Sequence, residues 1–137
     1  MADNLTIYLA LDVGDKRIGV AIANSIARIA SPLITLTVDD NIIGQIQKLI
    51  LDNQANILVL GLPRGLDSQE TEQTTKTRHF FELLKKEVNI PMYFIDEAGT
   101  SVKAKEELAQ RKKPYQKSDV DSLAASYILE DYLRGIN

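Results

Sequence analysis

Ile57-Leu58-Val59-Leu60 is an unbroken apolar run with a helical pattern on either side, and no other stretch constrains the fold as much. Such a run marks a strand covered on both faces, in the middle of a sheet. Upstream, Ile42, Ile43, Ile46, Leu49 and Ile50 recur at helical spacing and predict a helix over 41–53, with Asp39 or Asp40 able to cap it. Downstream, Gly61-Leu62-Pro63 stops the run and a polar loop follows through Arg64, Gly65, Asp67 and Ser68. A second helix is then predicted over 70–88, with Phe80, Phe81, Leu83 and Leu84 as its apolar stripe. A strand reached and left through helices enters its sheet by crossovers, so it pairs in parallel.

The remaining stretches fit around that strand. Thr6 to Val13 reads as a buried strand, and Arg17 to Asn24 as its hairpin partner across a turn containing Gly14. A third strand is predicted over 27–38, with Pro32 at a bulge or an edge. Pro91-Met92-Tyr93-Phe94-Ile95 is a short apolar strand that ends in Asp96-Glu97. Thr100 or Ser101 can cap a helix running to Gln110, a polar loop covers 111–117, and a last helix is predicted over 119–133. The order is therefore β-β-β-α-β-α-β-α-α. It predicts an α/β fold with a mixed five-stranded sheet, three antiparallel strands and then two parallel ones, flanked by helices. With 137 residues and no linker, repeat or low-complexity stretch, one domain over 1–137 is expected.

Several function classes drop out. The chain has no cysteine, which excludes disulfides, thiolate zinc sites and cysteine nucleophiles. No apolar run reaches the length of a membrane span, and Met1-Ala2-Asp3-Asn4 is no signal peptide, so a cytoplasmic protein without a membrane partner is expected. A net charge of −3 speaks mildly against nucleic acid, which usually selects a basic footprint. The average hides a basic segment, however. Lys103, Lys105, Arg111, Lys112, Lys113 and Lys117 stand between Ala98 and Ser118 against only Glu106 and Glu107. That segment suits a phosphate-facing edge, and equally a solvated helix and loop.

In open α/β sheets function collects beyond the carboxyl ends of the parallel strands. Asp12 ends the first strand, Gly61-Leu62-Pro63 follows the fourth and Asp96-Glu97 the fifth. The start of the last helix, Ser118-Asp119-Val120-Asp121, can fold back to the same edge. Strand parity places Asp12 with Tyr8 and Ala10, opposite Leu9, Leu11 and Val13. Converging carboxylates without a counter-charge raise one another's pKa values, and such a cluster makes sense around Mg²⁺ or Mn²⁺. Two such ions, roughly 3.5–4 Å apart, serve in-line attack of water on a phosphodiester. Each acid also has a plain structural role. Asp12 can bond the amides of the Gly14 turn, Asp121 can complete a capping box with Ser118, Asp119 can favour the helix dipole, and Asp96 and Glu97 can be turn acids.

Taken together the motifs resemble the YqgF/RuvX family, the pre-16S rRNA nuclease and Holliday junction resolvase-like proteins. The pieces that carry the resemblance run in order along nearly the whole chain. They are Asp12-Val13-Gly14-Asp15-Lys16-Arg17-Ile18-Gly19-Val20-Ala21, Gly61-Leu62-Pro63, Asp96-Glu97 with Thr100-Ser101, and Asp121-Ser122-Leu123-Ala124-Ala125 continuing to Ile128-Leu129 and Tyr132-Leu133. The first and last are specific, whereas Gly-Leu-Pro alone is not. The resemblance implies an RNase H-like fold and a metal-dependent endonuclease, with Asp12, Glu97 and Asp121 as catalytic metal ligands for Mg²⁺ or Mn²⁺. It places Lys16, Arg17 and Arg78 against substrate phosphate, and Asp119 beside the site.

The implied substrate is the 5′ region of pre-16S rRNA, with branched DNA as the alternative, and the protein as monomer or homodimer. A non-catalytic nucleic-acid-binding module is the rival from another class, and an actin-like ATPase is a weaker one because 137 residues hold too little for its two domains. There are departures from the family pattern. Ala98 and Gly99 stand where the family's acid motif runs on into an arginine, and Ser68 stands where a glycine usually follows the aspartate. The single histidine, His79, is expected at the surface or in packing. Tyr115 can stack on a base, although an exposed loop tyrosine accounts for it equally.

Overall fold

A computed structural model describes residues 5–65, 67, 69–97, 100–111 and 113–136. Ala98, Gly99, Ser68 and Lys112, which the sequence singled out, lie outside the described residues. The elements are β1 (Ile7–Val13), β2 (Arg17–Asn24), β3 (Ser31–Thr37), α1 (Ile42–Asn53), β4 (Ile57–Pro63), α2 (Glu72–Lys85), β5 (Met92–Glu97), α3 (Thr100–Gln110) and α4 (Lys117–Gly135). They form a five-stranded sheet in the order β3-β2-β1-β4-β5. β1 to β3 are antiparallel, while β4 pairs in parallel with both β1 and β5. The expected mixed sheet is thus the observed one.

The two faces of the sheet are covered differently, and strand alternation is the cause. Leu9, Leu11, Ile18, Val20, Leu58 and Leu60 point to one face and meet Ile42 and Ile46 of α1 and Phe81 and Leu84 of α2. The other face carries smaller residues, Ala10, Ala21 and Ala23 with Tyr8 and Val59, and α4 lies on it through Ala125, Ile128, Leu129 and Leu133. Leu129 is fully buried, and truncating such a leucine to alanine costs about 2–5 kcal/mol. α3 then packs on α4, through Ala104 and Leu108 against Val120, Leu123 and Ala124.

Element boundaries differ from the sequence expectation where side chains redirect the backbone. β3 starts at Ser31 rather than 27, because Asn24 Oδ1 accepts the amides of Ile26 and Ala27 and Arg28 adopts a left-handed φ of 54°. β4 runs through Gly61-Leu62-Pro63 instead of stopping before it, since β5 pairs with it as far as Pro63 opposite Glu97. Neither Asp39 nor Asp40 caps α1; Asn41 holds that position, and the Asp39 side chain accepts the Asn41 amide. α2 begins at Glu72 behind a Thr71–Thr74 capping box. Its buried stripe uses Thr74 and Thr77 beside Phe81 and Leu84, whereas Leu83 is exposed. The Thr74 hydroxyl donates to the Pro63 carbonyl at 2.5 Å, which satisfies it inside the core.

Candidate active site

Asp12 sits near the end of β1 on the α4 face, as parity requires, and its partner across the β1–β2 ladder is Gly19. That glycine decides the site. A Cβ there would overlap the backbone carbonyl of Asp121, so only glycine lets α4 settle on β2 at this point. The descent of the helix brings Asp121 near enough for its charge to act on the Asp12 carboxyl. Gly61 does the same further along, where a Cβ would strike the Ile128 side chain.

Asp12 is half-buried. Burial, and then the negative charge of Asp121, push its carboxyl up to a pKa of about 6. The Gly14 turn closes on itself, its amide donating to the Arg17 carbonyl at 3.0 Å, so the turn-bonding role for Asp12 is not the one observed. The capping role for Asp121 also goes. α4 starts at Lys117 with Gln116 as N-cap, and it is Asp119 whose Oδ2 accepts the Gln116 amide at 2.9 Å. Asp121 instead accepts from Arg17 Nε at 2.5 Å, across more than a hundred residues of sequence. Asp121 thus lies close enough for its charge to act on Asp12, and Arg17 is paired to Asp121.

The structure does not bring every expected residue to that pair. Glu97 is on the α4 face at the end of β5, two strand spacings from β1, which is roughly 10 Å. Its side chain is hydrogen-bonded to Asp131 of α4. Burial, that bond and the Asp131 charge push Glu97 up to a pKa of about 8, against the opposing pull of Lys103 and Arg134. Among the described residues no group of three or more His, Cys, Asp or Glu side chains is placed to hold one metal ion. Asp12 and Asp121 remain a two-carboxylate set of oxygen donors, which suits a hard divalent cation whose other ligands are water or phosphate.

Lys16 is exposed at the hairpin turn. Arg78 lies across the sheet, on α2, where it forks onto Glu70 through 3.1 Å and 2.6 Å bonds and covers the Phe94 ring. His79 is exposed on the same helix. Sequence reasoning passed over Gly19 and Asp131. Gly19 lay inside a quoted motif, but only the approach of α4 shows what it does. Asp131 follows Glu130 within the apolar second half of α4, and that pair of acids was the available signal.

Residues 6–135 match the model of the RuvX family, described as Holliday junction resolvase. The chain belongs to the RuvX family. It is 39% identical over 127 residues to a protein of Sulfurihydrogenibium sp. (strain YO3AOP1), provisionally named a pre-16S rRNA nuclease, covering 91% of this chain and 88% of that one. A Fusobacterium nucleatum protein of the same provisional name is 38% identical over 131 residues, covering 92% and 95%. Among solved structures, RuvC of T. thermophilus in complex with a Holliday junction superposes with a TM-score of 0.59 at 14% identity, covering 95% of this chain and 94% of that one. The fowlpox virus Holliday junction resolvase gives 0.57 at 14% identity, covering 96% and 100%. These likenesses establish the RNase H-like fold of this RuvX chain.

Proposed function

We propose that this chain is a divalent-metal-dependent endonuclease that hydrolyses phosphodiester bonds in the 5′ region of pre-16S rRNA. The observation that carries the reading is the pairing of Asp12 with Asp121 beneath α4, held by Gly19. A fold has no need of two carboxylates near enough to repel each other at a half-buried site, since their repulsion is a cost. Asp12 and Asp121 would hold Mg²⁺ or Mn²⁺, and Glu97 would join them once released from Asp131. A bound divalent ion supplies Lewis-acid stabilisation of phosphate oxygens and a more acidic water. Arg17 neutralises Asp121 and, with Lys16 beside it on the turn, presents positive charge to an incoming phosphate. Support for RNA as substrate comes from the names of the relatives. The chain acts in one domain over 1–137, in the cytoplasm.

A second reading is resolution of branched DNA, favoured by the family description and the RuvC-like architecture. It asks for two copies that present sites to opposed strands. Cleavage of a labelled pre-16S rRNA fragment and a four-way DNA junction, with Mg²⁺ or Mn²⁺, separates the two. Wild type should cut the RNA, and Asp12→Asn should lose at least about 100-fold in rate while keeping its circular dichroism. Cutting of the junction alone would install the second reading. Binding without cutting of either would leave a non-catalytic module.

A further inference from the structure

Next to the acid pair an open cleft of about 490 Å³ is lined by Arg17, Lys105, Tyr115, Lys117, Val120 and Asp121. Its lining comes from β2, α3, α4 and the connection between the two helices, and includes the Arg17–Asp121 pair. Tyr115 is 42% exposed and also lines an adjoining cleft of about 320 Å³, in which Pro32 and Pro114 are apolar surface and Arg111 and Lys113 are basic. Tyr115 is thus a half-open ring shared by two neighbouring hollows, the second of which also holds Asp119. Among the described residues Tyr115 has no aromatic neighbour. Lys105 and Lys117 have no ion pair among the described residues, whereas Arg17 and Arg111 are paired to Asp121 and Glu107. In a chain of net charge −3, this edge collects cations that its own acids leave uncompensated.

An exposed ring shared by two hollows, with Lys105 and Lys117 beside it and Asp121 in the same cleft, matches one repeating unit of a nucleic-acid strand. A phosphate has cations within reach and a base has a flat apolar partner. A regular duplex keeps its bases stacked on one another and has none to offer the ring. We propose that Tyr115 is a stacking platform for an unpaired ribonucleotide that flanks the cut site, with Lys105 and Lys117 holding its phosphate. This rests on the nuclease reading for the words "cut site", and binding can be tested without cutting.

The test is fluorescence anisotropy with a labelled single-stranded RNA 12-mer in EDTA, a condition that stops metal-dependent cleavage. Tyr115→Ala should weaken binding by about 5- to 100-fold, and Tyr115→Phe should restore it. The double variant Lys105→Ala with Lys117→Ala should flatten the salt dependence of log K by about 1.4, from two lost phosphate contacts. Blunt duplex RNA should be insensitive to Tyr115→Ala. All three side chains are exposed, so the variants should fold, which circular dichroism verifies. Wild-type affinity in Tyr115→Ala, or an unchanged salt slope in the double variant, overturns the proposal. So does tighter binding of the single-stranded DNA of the same sequence. Tyr115-dependent binding by a protein that cuts nothing sinks the nuclease and keeps the cleft; cutting that ignores Tyr115 does the reverse.

Discussion

Two charged clusters lie on opposite faces of the same sheet, and they differ in balance. On the α2 face, Arg64 reaches Asp96 at 3.4 Å and Glu70 at 4.0 Å, and Arg78 forks onto Glu70. Two cations there meet two acids. On the α4 face, Asp121 is paired to Arg17, while half-buried Asp12, under the charge of Asp121, has no ion pair among the described residues. A balanced cluster whose acids are solvated holds a loop to a helix and contributes little, because solvent screens them. An unbalanced, half-buried one costs stability, and such a cost points to a site. Arg78, which the family resemblance placed on substrate, belongs to the balanced cluster.

The comparison breaks most visibly at Gly19. Gly19→Ala puts a methyl group into the Asp121 carbonyl, so α4 must lift from β2, at a cost of about 2–4 kcal/mol. Urea denaturation should show that loss, and a midpoint within experimental error of wild type would mean that the helix has room to spare.

Asp12→Asn acts in the opposite direction. An acid whose folded pKa lies near 6, above its ordinary 3.8, keeps its proton in the folded state and gives it up in the unfolded one between those values. Stability from this group is complete below about pH 4 and is lost as pH rises through about 6. The asparagine variant should therefore be about 1–3 kcal/mol more stable than wild type at pH 7.5, and the gain should shrink away on acidification to pH 4. Thermal melts across that range check the sign. Added Mg²⁺ should raise the wild-type melting temperature and leave the variant's unchanged. A variant less stable than wild type at pH 7.5 would contradict the unbalanced reading of the α4 face.

The smallest effect belongs to Arg78→Gln. Its partner Glu70 is solvated, so the melting temperature should barely move and the pH profile should stay that of wild type. A substantial loss of stability would promote the α2 cluster from surface pairing to a structural clamp. A loss of nucleic-acid affinity in the same variant would return Arg78 to the substrate.

Most of the architecture was legible because it rests on local alternation and on connection length. An apolar run between two helical patterns has to be a parallel central strand, and Asp12 has to share a face with Ala10, whatever else the chain does. Thr74 and Thr77 escaped notice in the α2 stripe because threonine counts as polar, and only the packing shows them buried, Thr74 with its hydroxyl on the Pro63 carbonyl. The capping role passed from Asp121 to Asp119 because the N-cap is Gln116 rather than Ser118, which changes which acid stands third in the helix. Glu97 was legible as an acid on the right face, but its partner Asp131 depends on how α4 crosses the sheet. By itself the sequence determined which residues face which side and in what order the strands join, since both follow from chain periodicity and the handedness of crossovers. Tertiary structure alone decided that Asp121 comes near Asp12, that Arg17 pairs with Asp121, and that Glu97 stands apart. Those contacts depend on how closely a helix can approach a sheet, and two glycines without a Cβ set that distance.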